Sequence, residues 1–181
     1  DNQYGQCDVP AQFQSISSDF DFSKIKLYAG GNHNILVYDS LGTTKMAAWG
    51  DNTYGQAEVP DSLVSGSILM TAVGGNHNAI VTDDNQFVRV ISWGDNSHNQ
   101  CDVPERFNPV SDSLEVVFID AGANHTIITY DSSGFLKMAA WGDNSYGQLN
   151  VPTEEELNGS SKFLAMRSGY YHNFAIFYDE T

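Results

Sequence analysis

Basic residues are scarce: eight Lys and Arg stand against 23 Asp and Glu among 181 residues, a formal net charge of −15 at pH 7. Nucleic-acid binding draws its affinity from a basic face that releases counterions, so this balance argues against DNA or RNA as a partner. The acidity reads first as colloidal repulsion and second as steering toward a basic protein or retention of divalent cations. There are only two cysteines, Cys7 and Cys101, too few for a disulfide framework. No run approaches the roughly 18 consecutive apolar residues that a membrane-spanning helix needs. Helical periodicity is nearly absent; the best candidate is a single turn at 153–157, with similar short segments after Pro60 and Pro104. The chain shows neither an initiating Met nor a signal peptide, and is therefore expected to be a processed product or part of something longer. Gly-x-Ser-x-Gly, a Gly-rich phosphate loop and His-Glu-x-x-His are missing too, so the sequence offers no constellation for catalysis.

What is present is one phrase used four times. Asp-Asn-x-Tyr-Gly-Gln-x-x-Val-Pro starts at Asp1, Asp51, Asp95 and Asp143, with His98-Asn99 replacing Tyr-Gly in the third copy. The starts lie 50, 44 and 48 residues apart, a period that belongs to propeller blades and larger solenoid units. A Gly-x-x-His turn follows each copy, ending at His33, His77, His125 and His172, and Trp-Gly precedes the next copy at Trp49, Trp93 and Trp141. The chain reads as a single repeat domain, 1–181, with units 1–50, 51–94, 95–142 and 143–181. No fourth Trp-Gly is present, so the fourth unit is expected to be one strand short, and such an edge invites completion by another chain.

Between these landmarks, apolar and β-branched runs at 24–29, 34–38 and 45–49, at 69–73, 79–82 and 87–93, and at 115–121, 126–130 and 135–141 read as short strands. Asp39-Ser40-Leu41-Gly42, Asp83-Asp84-Asn85 and Asp131-Ser132-Ser133-Gly134 supply the hairpin turns between them. Three or four strands per unit make a small antiparallel sheet. The predicted fold is all-β: a β-propeller-type array of four short antiparallel blades, itself part of a larger propeller or assembly. Trp-Gly-Asp-Asn-x-Tyr-Gly-Gln together with Gly-x-x-His, recurring in one order along the whole chain, resembles the regulator of chromosome condensation repeat family. The likeness is greatest to its short-blade branch, that of the secreted β-lactamase inhibitory protein II. The resemblance implies a scaffold for protein–protein contacts, with closure of family members into seven-bladed rings and a structural role for the repeated His. It also carries guanine-nucleotide exchange, the activity of the family's nuclear archetype, as an alternative.

Each candidate residue has a structural reading beside a chemical one. His33, His77, His125 and His172 occupy the same place in every unit; a residue needed once per unit to hold a turn is expected in all of them, whereas a metal site needs one asymmetric cluster. No metal and no cofactor are expected. The pairs containing Asn52, Asn96 and Asn144 offer one carboxylate and one amide per turn, short of the six to eight oxygens calcium takes, and read as turn-fixing groups. Trp49, Trp93 and Trp141 read as repeated core anchors. Cys7 and Cys101 share a slot with Ala57 and Leu149, which marks a small buried apolar position holding free thiols. The segments that vary between units, 11–23, 61–67, 105–113 and 153–161, are the expected contact surface, with Phe13, Phe20 and Phe22 as apolar anchors. Asn158 begins a glycosylation sequon in the last of them. The predicted role is a non-enzymatic interaction or scaffold module that binds a protein or further copies of the same repeat, head to tail, at an extracellular or particle surface. The alternatives are a subunit of an extracellular or viral filament completed strand by strand, and a hydrolase with carboxylates meeting at the propeller mouth.

Overall fold

The computed structural model describes residues 1–15, 21–63, 67–111, 113–157 and 161–179. Three sheets have three antiparallel strands each: β1 (Lys26–Ala29), β2 (His33–Ser40) and β3 (Thr43–Gly50); β4 (Ser67–Val73), β5 (His77–Asp83) and β6 (Val88–Gly94); and β7 (Leu114–Ala121), β8 (His125–Ser132) and β9 (Phe135–Gly142). A fourth sheet pairs only β10 (Ser161–Ser168) with β11 (Asn173–Asp179). The strand order in each sheet follows the chain, which is the meander of a propeller-type array.

Local chemistry sets the turns. Leu41 and Gly42 have φ of 55° and 79°, and Ser133 and Gly134 have 58° and 84°, the paired positive values of a two-residue hairpin turn matched to strand twist. The carboxylates of Asp39 and Asp131 each accept the N–H of the turn glycine, at 2.9 and 2.8 Å. The glycine of each Trp-Gly has φ of 106° to 110°, and a Cβ there would run into the backbone just before or at the repeated His, so no other residue fits.

The sheets pack face to face, with β1, β4, β7 and β10 side by side along the inner edge. Middle strands are therefore covered on both faces. On β8, Ile128 and Tyr130 pack toward the second sheet with Val81, Val90 and Val116, while Ile127 packs toward the fourth with Met138 and Met166. This accounts for the continuous apolar runs of the middle strands, where a half-exposed strand would alternate. In β4, β7 and β10 a bulge falls at one equivalent residue, Leu69, Val117 and Leu164, and leaves each of these aliphatic side chains exposed.

The segments after each Val-Pro send an apolar side chain toward the protein. The carbonyls of Pro10, Pro60 and Pro104 accept the N–H groups of Phe13, Leu63 and Phe107 at 2.8, 3.1 and 2.9 Å. Leu63 and Phe107 are buried, and Phe107 packs on Tyr130 and Trp141 with ring centroids 5.2 and 6.3 Å away. The same segment is stitched to β6: Val90 N–H donates to the Phe107 carbonyl and Val110 N–H to the Val88 carbonyl, both at 2.8 Å. The helical turn at 153–157 forms as α1 (Glu154–Leu157). It is held by a capping box in which Glu156 N–H donates to the Thr153 hydroxyl and Thr153 N–H to the Glu156 carboxylate. Leu157 is buried beneath it. Among the described residues no helix is long and apolar enough to cross a membrane.

The cysteine slot corrects the sequence reading. Cys7 is exposed and Cys101 half-buried, both as free thiols, because the side chain folds back over its own loop toward the carbonyl of Asp1 (3.4 Å) or Asp95 (3.3 Å) instead of entering the core.

Candidate functional site

The Gly-x-x-His turn builds the seam between sheets. Gly30, Gly74, Gly122 and Gly169 leave space that a Cβ would take from the imidazole three residues on, and the N–H of each glycine donates to the carbonyl of that His at 2.7–2.9 Å. Held this way, the ring points at the next unit. Nε2 of His33 lies 2.8 Å from Oδ1 of Asn78, that of His77 2.9 Å from the Thr126 hydroxyl, and that of His125 2.8 Å from Oδ1 of Asn173. The receiving residue is always the one just after the next unit's own His.

Donor directions follow from the far side of that residue. Nδ2 of Asn78 donates to the Gln56 carbonyl (2.9 Å), the Thr126 hydroxyl to the Gln100 carbonyl (3.2 Å), and Nδ2 of Asn173 to the Gln148 carbonyl (2.6 Å). Each receiving oxygen must then accept, so each imidazole carries a proton on Nε2. Burial pushes the His33 and His125 pKa values down from the usual range and takes His77 to about 4. The Gln100 carbonyl also accepts the Trp141 Nε1–H at 3.0 Å, and the Gln6 carbonyl that of Trp49 at 3.1 Å, whereas Trp93 Nε1 has no partner among the described residues. A backbone thread crosses the same seams, from Gly31 N–H to the Gly75 carbonyl (3.0 Å), Gly75 N–H to Ala123 (3.2 Å) and Ala123 N–H to Tyr170 (3.1 Å).

The Asp-Asn loops are occupied by their own backbone. Oδ1 of Asn52, Asn96 and Asn144 accepts the N–H five residues on, at 3.0, 2.8 and 2.9 Å. Asp51 and Asp143 each accept the N–H and hydroxyl of the residue two along, and that hydroxyl bond holds both carboxyls below the usual range. Among the described residues no three His, Cys, Asp or Glu side chains gather into a group that could hold a metal ion. The inner strands line a groove of about 460 Å³, with the Asp120 carboxylate on its wall. Burial raises the Asp120 pKa, and Ser168 N–H donates to it at 2.9 Å.

Residues 71–100, from β4 through the His77 turn to the next Asp-Asn loop, match the family model of the regulator of chromosome condensation (RCC1) repeat. The likeness to the RCC1 repeat is shown for these residues. A search of curated protein sequences returns no match. Among solved structures, the entire ectodomain of the Physcomitrella patens receptor kinase CR4 has a TM-score of 0.57 at 19% identity, covering 83% of this chain and 37% of that one. The CRINKLY WD40 ectodomain of the Arabidopsis thaliana receptor kinase ACR4 has a TM-score of 0.53 at 18% identity, covering 84% and 45%. The chain thus spans less than half of either structure, and at such identity the likeness is one of fold.

The fourth unit departs from the other three. Positions filled by Ile35, Ala79 and Ile127, all at most 1% exposed, hold Phe174, 49% exposed; those of Val37, Val81 and Thr129, at most 5%, hold Ile176, 46% exposed. Tyr178 continues this strip, and Tyr170 and Tyr171 stand in the turn where the other units have Gly or Ala and Asn. Tyr171 packs on Tyr170 and on Tyr146 with centroids 4.5 and 4.8 Å away. His172 is exposed as well, unlike its three buried equivalents.

The anchors predicted from sequence lie elsewhere. Phe13 is half-buried, edge-on to Tyr38 at 5.2 Å, and Phe20 and Asn158 fall outside the described residues, as does the side chain of Phe22. Trp141 is buried, while Trp49 and Trp93 are half-buried. The aromatic face on β11 was missed; its signal is the Tyr-Tyr pair inside the fourth Gly-x-x-His.

Proposed function

We propose that this chain is a non-enzymatic protein-interaction module, a stiff array of RCC1-type units that presents the outer face of β10 and β11 to a protein or to further copies of the same repeat. The observation that carries this reading is the exposure of Phe174 and Ile176, whose equivalents are buried in the other three sheets, together with that of Tyr178 on the same strand and of Tyr170 and Tyr171 in the turn before it. Contiguous exposed apolar surface on a soluble fold marks contact sites, and tyrosine is enriched in them. The polar groups of the seams are consumed in joining units to one another, which supports a scaffold role for His33, His77 and His125 and for the Asp-Asn loops.

The test is a photo-crosslinking residue at Ile176 in the full chain, with one at Leu41, exposed on a hairpin turn, as control. In extracts of the native source, the Ile176 probe is expected to yield a discrete protein adduct that Phe174→Asp removes. An adduct pattern identical to that of the Leu41 probe overturns the assignment of this face.

A further inference from the structure

We infer that the groove on the inner side of the array binds a small zwitterion, an α-amino acid with an apolar side chain, its ammonium group held by Asp120 and its carboxylate by Arg167.

One position of the inner strands changes chemistry with every unit. Opposite Ile35, Ala79, Ile127 and Phe174 on the neighbouring strand stand Tyr28, Ala72, Asp120 and Arg167. A residue that holds the fold is repeated, as the Gly-x-x-His turn is, whereas an acid and a base in consecutive units break the repeat. Asp120 and Arg167 line the same groove, yet among the described residues no ion pair joins them.

Each charge is held in place and left without a full counter-charge. The Asp120 carboxylate accepts Ala121 N–H at 3.0 Å and Ser168 N–H at 2.9 Å, both neutral donors, and burial raises its pKa. Arg167 Nη1 donates to the Met166 carbonyl at 2.8 Å, and the centre of the guanidinium lies 4.8 Å from the ring centroid of Phe118, on the inner strand of the third sheet. The side chain is thereby turned into the groove. Its Nε and Nη2, the edge that grips a carboxylate through two parallel bonds, have no acceptor among the described residues.

The rest of the wall suits the body of such a ligand. Leu69, Met70 and Phe118 make it apolar, and the hydroxyls of Tyr28 and Thr71 have no partner among the described residues. The volume of about 460 Å³ falls within the range of small-ligand sites, about 300–1,000 Å³. A ligand of one sign would leave one of the two side chains unanswered, and an anion is also repelled by a net charge of −15; a zwitterion meets both groups and adds no net charge.

Isothermal titration of the 181-residue chain with L-phenylalanine is expected to give saturable 1:1 binding. The methyl ester, which lacks the carboxylate, and N-acetylphenylalanine, which lacks the ammonium group, are each expected to bind about tenfold more weakly or worse. L-phenylalanine is expected to lose as much on Arg167→Gln and on Asp120→Asn. Thermal melting checks that both variants fold; if Asp120→Asn melts early, Arg167→Gln and the two blocked probes carry the test. No saturation up to about 10 mM L-phenylalanine overturns the inference. So does a blocked probe that binds as tightly as the free amino acid, or binding that survives Arg167→Gln. Crosslinking at Ile176 reads a different face, so its failure leaves this groove untouched and its success does not support it.

Discussion

His77 carries the heaviest electrostatic load of any single residue in the array. It is fully buried, its Nε2 proton is committed to Thr126, and its Nδ1 is buried without a partner among the described residues. A second proton would place a charge where no water reaches, which is why burial, followed by repulsion from His125 when that ring is protonated too, takes its pKa to about 4. Because the folded value lies below the unfolded one, near 6.5, the contribution to stability is complete above pH 6.5 and is lost as pH falls toward 4. A depression of about 2.5 units corresponds to about 3 kcal/mol, and His33 and His125 shift in the same direction. Thermal melting is therefore expected to fall steeply between pH 6.5 and 4.5, and His77→Gln to flatten that slope while lowering stability at pH 7.5. A melting temperature flat across this window would contradict the neutral, buried imidazoles. The depressed carboxyls of Asp51 and Asp143 act in the same sense but below the ordinary carboxylate range, so the two windows separate. The glycine beside each ring has an equally specific role. Gly74→Ala would press a Cβ into both the His77 ring and the Gly122 carbonyl, 2.6 Å away, and is expected to cost about 1–3 kcal/mol in chemical denaturation, whereas Gly42→Ala meets nothing within 4 Å and acts only through its positive φ.

Elements in this array depend on segments outside the strands. Phe107 belongs to no strand, yet it is fully buried between Tyr130 and Trp141, and its carbonyl is tied to Val90 of the preceding sheet. Phe107→Ala is expected to destabilise by about 3–5 kcal/mol in urea unfolding. Phe13→Ala, at a half-buried ring, is expected to cost clearly less, and equal costs would refute the difference in their environments. These segments show where the sequence is legible and where it is not. Strands, hairpins and the capped turn at Thr153 follow from residue patterns a few positions long, because turn glycines and capping boxes act locally. The inward role of Leu63, Phe107 and Leu157 could not be read that way: Leu157 comes two residues later after its Val-Pro than the other two, Phe13 at the same spacing as Leu63 and Phe107 is only half-buried, and burial depends on which sheet lies opposite. The exposure of β11 was hidden for the same reason, since Phe174 and Ile176 are as apolar as the core residues they replace, and among the described residues no sheet lies opposite to cover them.

At the scale of the whole molecule, stability in a repeat array is a sum of unit terms and nearest-neighbour seams, so a unit with a neighbour on each side is held more firmly than one with a single neighbour. The second and third sheets each have two seams, and their middle strands β5 and β8 are buried on both faces. The fourth sheet has two strands and one seam, and its outer strand exposes alternate residues. Amide hydrogen exchange is thus expected to be slowest in β5 and β8 and fastest in β10 and β11, since local opening costs least where fewest groups are buried. Uniform protection across all four sheets would contradict nearest-neighbour coupling, because it would mean that the one-seam fourth sheet opens no more readily than the two-seam sheets beside it.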